Sequence, residues 1–157
     1  MNANFINPFV ASTISVLASI IKVPPKRDKI FLKEGVQPTY DITAIIGVNG
    51  DVHGTVAISF PREVALRFVS SFTGEEKSTI NEEVLDALGE FANIVSGGAK
   101  RELSTTGVRF KISIPSVITG RDHKLTPPRN TQCIVLPFEV EGIGKFVVEV
   151  SLRETVQ

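Results

Sequence analysis

The chain has 157 residues, enough for one domain with a proper core, and a single domain over 1–157 is expected. Its 17 basic and 17 acidic residues cancel to zero formal charge, so neither nucleic acid nor an anionic membrane surface is an expected partner. Hydrophobic and charged fractions of 42% and 22% are those of an ordinary globular domain.

Residues 4–21 carry Phe5, Phe9, Ile14, Val16, Leu17, Ile20 and Ile21 at roughly helical spacing, with Pro8 tolerated in the first turn. Pro24-Pro25 ends that helix, because the residue before a proline is pushed out of the α region. The N-terminus has no basic segment, its apolar residues alternate with Asn, Ser and Thr, and no apolar run reaches spanning length. The expectation is a cytoplasmic protein. Lys26-Arg27-Asp28-Lys29 reads as a solvated loop, and Ile30-Phe31-Leu32 as a short strand broken by Gly35 and Pro38.

The clearest hairpin follows, with β-rich runs at 41–48 and 54–60 around Asn49-Gly50-Asp51. Pro61 stops the second strand and opens a short helix over 62–71. The longest helix runs from Asn81 to Leu103. Thr79 or Asn81 caps it, and Glu82 and Glu83 sit in the first turn, where the helix dipole favours acids. Residues 108–115 alternate apolar and polar, as a half-buried strand does, and 121–130 is a polar, Pro-rich loop. A second hairpin pairs 133–138 with 144–152.

A weak repeat links the two halves. Gly54–Phe60 resembles Gly144–Val150, each the second arm of a hairpin preceded by a strand, and each strand by a helix. The 62–71 helix is inserted between the copies. The expected fold is α+β: a pseudo-twofold repeat of helix, strand and hairpin, with a mostly antiparallel sheet and long helices packed on it.

Chemistry is scarce. His53 and His123 show no metal-ligand spacing to each other or to Cys133, and both read as surface residues. Cys133 has no disulfide partner and lies in a strand-like run, so it reads as a small buried apolar residue; a lone cysteine fits a reducing compartment. No G-x-S-x-G elbow or phosphate-cradling glycine loop is present.

The long helix is different. Val84, Leu88, Phe91 and Val95, widened by Leu85, Ala92, Ala99 and Leu103, form its apolar stripe. Asp86, Glu90, Asn93 and Gly97 line up opposite. The plain reading of two such carboxylates is the wet face of an amphipathic helix. Against it, Asn93 sits mid-helix with no capping role. Gly89, Gly97 and Gly98 each cost roughly 1 kcal/mol relative to Ala in a helix interior. A small-residue surface beside a carboxylate and an amide lets another protein come close.

The segment Glu90-Phe91-Ala92-Asn93-Ile94-Val95-Ser96-Gly97 resembles the E-x-x-N signature of the CheC/CheX/FliY family of chemotaxis phosphatases. The Asn7-Pro8-Phe9 helix, the hairpin around Asn49-Gly50, the chain length and the duplicated topology extend the resemblance over essentially the whole chain. Only one E-x-x-N is present. Aligning the repeats brings Ser12 and Ser15 opposite the motif, and serines cannot do its work; this is the CheX-like pattern.

The resemblance implies hydrolysis of the aspartyl phosphate of a CheY-type response regulator. In that reaction Asn93 positions the water and Glu90 pairs with the regulator's active-site lysine. Asp86 and Gly97 belong to the docking face, Gly97 giving clearance. The resemblance also implies a homodimer and no cofactor of the chain's own, the Mg²⁺ belonging to the partner's receiver domain. A non-enzymatic module that docks a receiver domain or a flagellar switch component is the competing reading.

Overall fold

The computed structural model describes residues 3–34 and 40–155. Eleven elements follow in chain order: α1 (Ala3–Ile20), β1 (Lys26–Arg27), β2 (Phe31–Leu32), β3 (Ile42–Gly50), β4 (Val52–Phe60), α2 (Arg62–Thr73), α3 (Glu82–Ser104), β5 (Phe110–Ile112), β6 (Ser116–Thr119), β7 (Ile134–Val140) and β8 (Gly144–Glu154). All eight strands join one antiparallel sheet in the order β1-β7-β8-β4-β3-β5, with β2 also on β7 and β6 also on β3.

The repeat is real and its halves are interleaved. The hairpins β3–β4 and β7–β8 meet at the centre through β4 and β8, where Ile58 pairs with Val148, its counterpart in the repeat. Each half's leading strands cross over. β1 and β2 pair with the hairpin of the second half, and β5 and β6 with that of the first.

Alternation decides which face is dry. The even-numbered residues Ile42, Ile46, Ile58, Phe60, Phe146, Val148 and Val150 are at most 2% exposed and face the helices. They meet Val84, Leu88, Phe91 and Val95 of α3, all at most 1% exposed. Phe60, Phe68, Phe91 and Phe146 close this core, with ring centroids 4.6–6.3 Å apart. Leu85, assigned from sequence to the same stripe, is only half-buried at its margin.

Several boundaries differ from the sequence reading. Lys26 and Arg27 are exposed as expected, yet they form an edge strand on β7. β3 continues through Asn49 and Gly50 because β5 pairs with them from the other side. The 108–115 strand is shorter and is continued by β6, which the sequence did not suggest. α1 is long and apolar enough to cross a membrane by length and composition, against expectation. In the fold it is a packing helix, with Phe9 and Leu17 fully buried. The break at Gly35 and Pro38 lies outside the described residues.

Candidate functional site

α3 begins where Asn81, in an extended conformation, accepts a 3.0 Å hydrogen bond from the Val84 amide through its side chain. Lys77 ties the preceding loop to this first turn, donating to Glu83 at 2.6 Å and to Glu75 at 3.2 Å. The Glu83 hydrogen bond is the main cause of a raised Lys77 pKa. Arg101 lies in the last turn, where a cation suits the dipole.

Two neighbours hold the helix. On one flank, Ser12 of α1 donates to the Val95 carbonyl at 2.7 Å, and a Cβ on Gly98 would lie 2.3 Å from the Ser12 oxygen. On the other, a Cβ on Gly89 would meet Pro115 at 3.4 Å and Val117 at 3.5 Å. Two of the three helix glycines are therefore packing glycines, not clearance. Gly97 alone keeps that character: the nearest atom to a Cβ there is the Arg101 guanidinium, at 3.8 Å.

The structure keeps the predicted residues together. Asp86 and Glu90 are exposed, and Asn93 and Gly97 half-buried, along one ridge of α3 between its two flanks. Neighbours three or four apart on a helix stand about 5–6 Å apart at Cβ, so one partner surface can reach Asp86, Glu90 and Asn93 together. Among the described residues, these three side chains take part in no hydrogen bond or ion pair. A cleft of about 530 Å³ lies between the start of α1 and the end of α3, and another of about 410 Å³ beside Asp41 and Arg121; neither includes the ridge. A run of exposed and half-buried polar side chains along a helix, outside these two clefts, is a surface that a macromolecule can cover.

A second concentration of polar groups lies on the far face of the sheet, and the sequence did not show it. Thr43 and Ser59 are fully buried there, their hydroxyls 2.8 Å apart. His123 Nε2 stands 2.6 Å from Thr43 Oγ1, and its Nδ1 2.8 Å from the Gly120 carbonyl. The carbonyl can only accept, so Nδ1 carries a proton; Nε2 in the neutral ring then accepts from Thr43. His123 is thus no surface bystander: it pins the 120–133 segment to the sheet. Nearby, Lys33 donates to Glu149 at 2.7 Å, both side chains 7% exposed. Cys133 is buried as expected, and burial is the main cause of its raised thiol pKa, with a hydrogen bond from Ser151 opposing it. Among the described residues, no three His, Cys, Asp or Glu side chains gather as a metal site would require.

The helix, its free polar ridge and the interleaved halves can be set beside known proteins. The family model described as chemotaxis phosphatase CheX matches residues 42–139, more than half of the chain. The chain belongs to the CheX family. The CheY-P phosphatase CheX of Thermotoga maritima is 29% identical over 126 residues, covering 80% of this chain and 81% of its own. A CheC-like superfamily protein from Shewanella sp. PV-4 is similar in structure with a TM-score of 0.89, at 33% identity over 98% of this chain and 99% of that one. The CheX of a CheX–CheY–BeF3–Mg complex from Borrelia burgdorferi gives 0.83, at 26% identity over 96% and 98%. In this CheX-family chain the ridge residues fall inside the matched segment, on α3.

Proposed function

We propose that this CheX-family protein is a phosphatase that hydrolyses the aspartyl phosphate of a CheY-type response regulator, with the ridge of α3 as its working surface. The observation that carries the reading is the pairing of an exposed Glu90 with a half-buried Asn93 one turn on, neither engaged within the described residues.

An acyl phosphate is already activated, so catalysis is mainly a matter of placing a water in line with phosphorus. The Asn93 amide both donates and accepts, and it holds that water without bringing negative charge near the phosphoryl oxygens. The water oxygen bonds to phosphorus, the bond to the aspartyl oxygen breaks, and inorganic phosphate and the free carboxylate result. Glu90, a poor neighbour for phosphate itself, pairs with the lysine beside the receiver's phosphorylation site and fixes the register of the two proteins. Asp86, one turn earlier, extends the docking face, and Gly97 leaves it flat. The Mg²⁺ of the reaction belongs to the receiver. A phosphorylated receiver as substrate implies a cytoplasmic location.

The homodimer belongs to this proposal. Phe31 and Leu32, 50% and 46% exposed on β2 at the sheet edge, are surface that a second copy can cover. Sedimentation across a concentration series tests it.

The functional test is decay of a phosphorylated CheY-type receiver with wild type, Asn93→Ala and Glu90→Ala. Asn93→Ala is expected to lose turnover while keeping binding, and Glu90→Ala to weaken both. A wild type that leaves the decay rate unchanged sinks the enzymatic reading, and binding without acceleration selects the docking module.

A further inference from the structure

β5 and β6 are one strand interrupted by a bulge, and the bulge is built. Ile112 pairs with Val48 and Ser116 with Ile45, so Ile46 and Gly47 of β3 face three residues, Ser113, Ile114 and Pro115. Ser113 secures the distortion. Its amide donates to the Gly47 carbonyl at 2.9 Å, its hydroxyl oxygen accepts from the Gly47 amide at 2.8 Å, and the hydroxyl donates to the Ile114 carbonyl at 3.2 Å. The ladder bond that Gly47 would make to a regular strand is thus supplied by a side chain.

The extra residue is turned to water. Among the described residues, Ile114 is 89% exposed, against 50% for Phe31, the next most exposed large apolar side chain. Its position along α3 is bracketed. Pro115 and Val117 pack at Gly89, while Lys111 and Phe110 share a cleft with Lys100 and Ser104 further along the helix. Ile114, one residue before Pro115, therefore lies between those points on the Gly89 flank of the ridge, close to the turn that runs from Gly89 to Asn93. A bulge that only kept an edge strand from pairing would be better served by a charged residue. Here the ordered backbone presents a bare aliphatic side chain next to the site.

We infer that Ile114 is the apolar anchor of substrate docking: it buries against the receiver domain alongside the phosphorylated aspartate and so sets affinity, taking no part in the chemistry. The inference rests on the phosphatase reading for its partner. The occupant is the receiver because Pro115, the residue after Ile114, packs at Gly89, which is next to Glu90 and one turn before Asn93, so a protein docked on Glu90 and Asn93 reaches this flank. A lone exposed aliphatic side chain needs no partner by itself; what singles out Ile114 is its fixed presentation by the bulge on the flank of Glu90 and Asn93, where a docked protein excludes water from it.

The test measures dephosphorylation of a CheY-type receiver, charged with acetyl phosphate, over a range of receiver concentrations. Ile114→Ala is expected to raise KM about tenfold, and Ile114→Asp about a hundredfold, with kcat within about twofold and the unfolding midpoint unchanged. Unchanged KM in both variants overturns the inference, as does a loss confined to kcat. A shift of Ile114→Asp to smaller mass in sedimentation also overturns it, by assigning the residue to contact between copies. If wild type accelerates nothing, the phosphatase reading fails by itself. Titration with the receiver held by BeF3 and Mg²⁺ then decides the anchor: weaker binding by Ile114→Asp sustains it, and equal or absent binding overturns it.

Discussion

The two polar regions of this molecule differ in what their side chains are doing. On the far face of the sheet the buried groups around Thr43 and Glu149 are committed. Lys33 is held by Glu149, Thr43 by Ser59 and His123, and the Tyr40 amide by Ser59 at 3.0 Å. On the α3 ridge, Asp86, Glu90 and Asn93 are unengaged among the described residues. Buried polar groups cost stability unless paired, so the first region is explained by the fold that contains it. Groups that water still reaches, as the exposed Asp86 and Glu90 and the half-buried Asn93 are, carry less of that demand. Their arrangement on α3 is left for a partner to explain, and that asymmetry separates a structural network from a candidate site.

Mutations can break this contrast or sharpen it. The largest effect is expected at Asn93: alanine should lower kcat by about two orders of magnitude, as removal of one oriented polar group does, with an unfolding midpoint close to wild type. A matching loss of thermal stability would place Asn93 with the structural network instead. Glu149→Ala should do the reverse. It leaves the Lys33 ammonium buried without its partner, at a cost of about 3 kcal/mol or more, read as a lower urea midpoint, while turnover per folded molecule holds.

The adjacent glycines offer a finer test. Gly98→Ala forces a methyl group against Ser12 and should destabilise by about 1–3 kcal/mol. Gly97→Ala meets only the flexible Arg101 and should be neutral, or stabilise by up to about 1 kcal/mol. Equal costs would mean that the crossing of α1 and α3 is not where the difference arises.

The smallest effect concerns Cys133. Its thiol keeps its proton to higher pH in the native state than in the unfolded chain. Its contribution is therefore complete below the ordinary value of 9.0 and is lost as pH rises through and above it. Urea melts from pH 8 to 10 should show wild type losing stability faster than Cys133→Ala. Parallel slopes would refute the assignment.

Much of this was legible in the sequence, for definite reasons. The β3–β4 and β7–β8 hairpins and α3 carry strong periodicity and turn or cap chemistry. The ridge itself follows from helical spacing, so Glu90 and Asn93 could be placed together without coordinates. What sequence could not give was long-range pairing. Gly98 and Gly97 look alike until Ser12 arrives beside one of them. His123 reads as a loop residue until Thr43, on a distant strand, supplies its partner. The bulge at Ser113–Pro115 is invisible because its register is defined only against β3, and β6 is too short and too exposed to announce itself.

The crossing of strands between the halves bears on how the chain acquires its structure. Phe31 waits for Val135, and Lys26 for Glu139, so the first half cannot complete its sheet while it is being synthesised. Contacts this distant in sequence slow folding, because loop-closure entropy precedes the reward. The second half has the mirror-image need: β5 and β6 find their neighbour only in β3. Cut between α2 and α3, the polypeptide would yield two fragments that each hold a hairpin whose outer partner lies in the other. Reassembly of the two pieces from separate expression, and failure of either alone, is the behaviour this topology dictates.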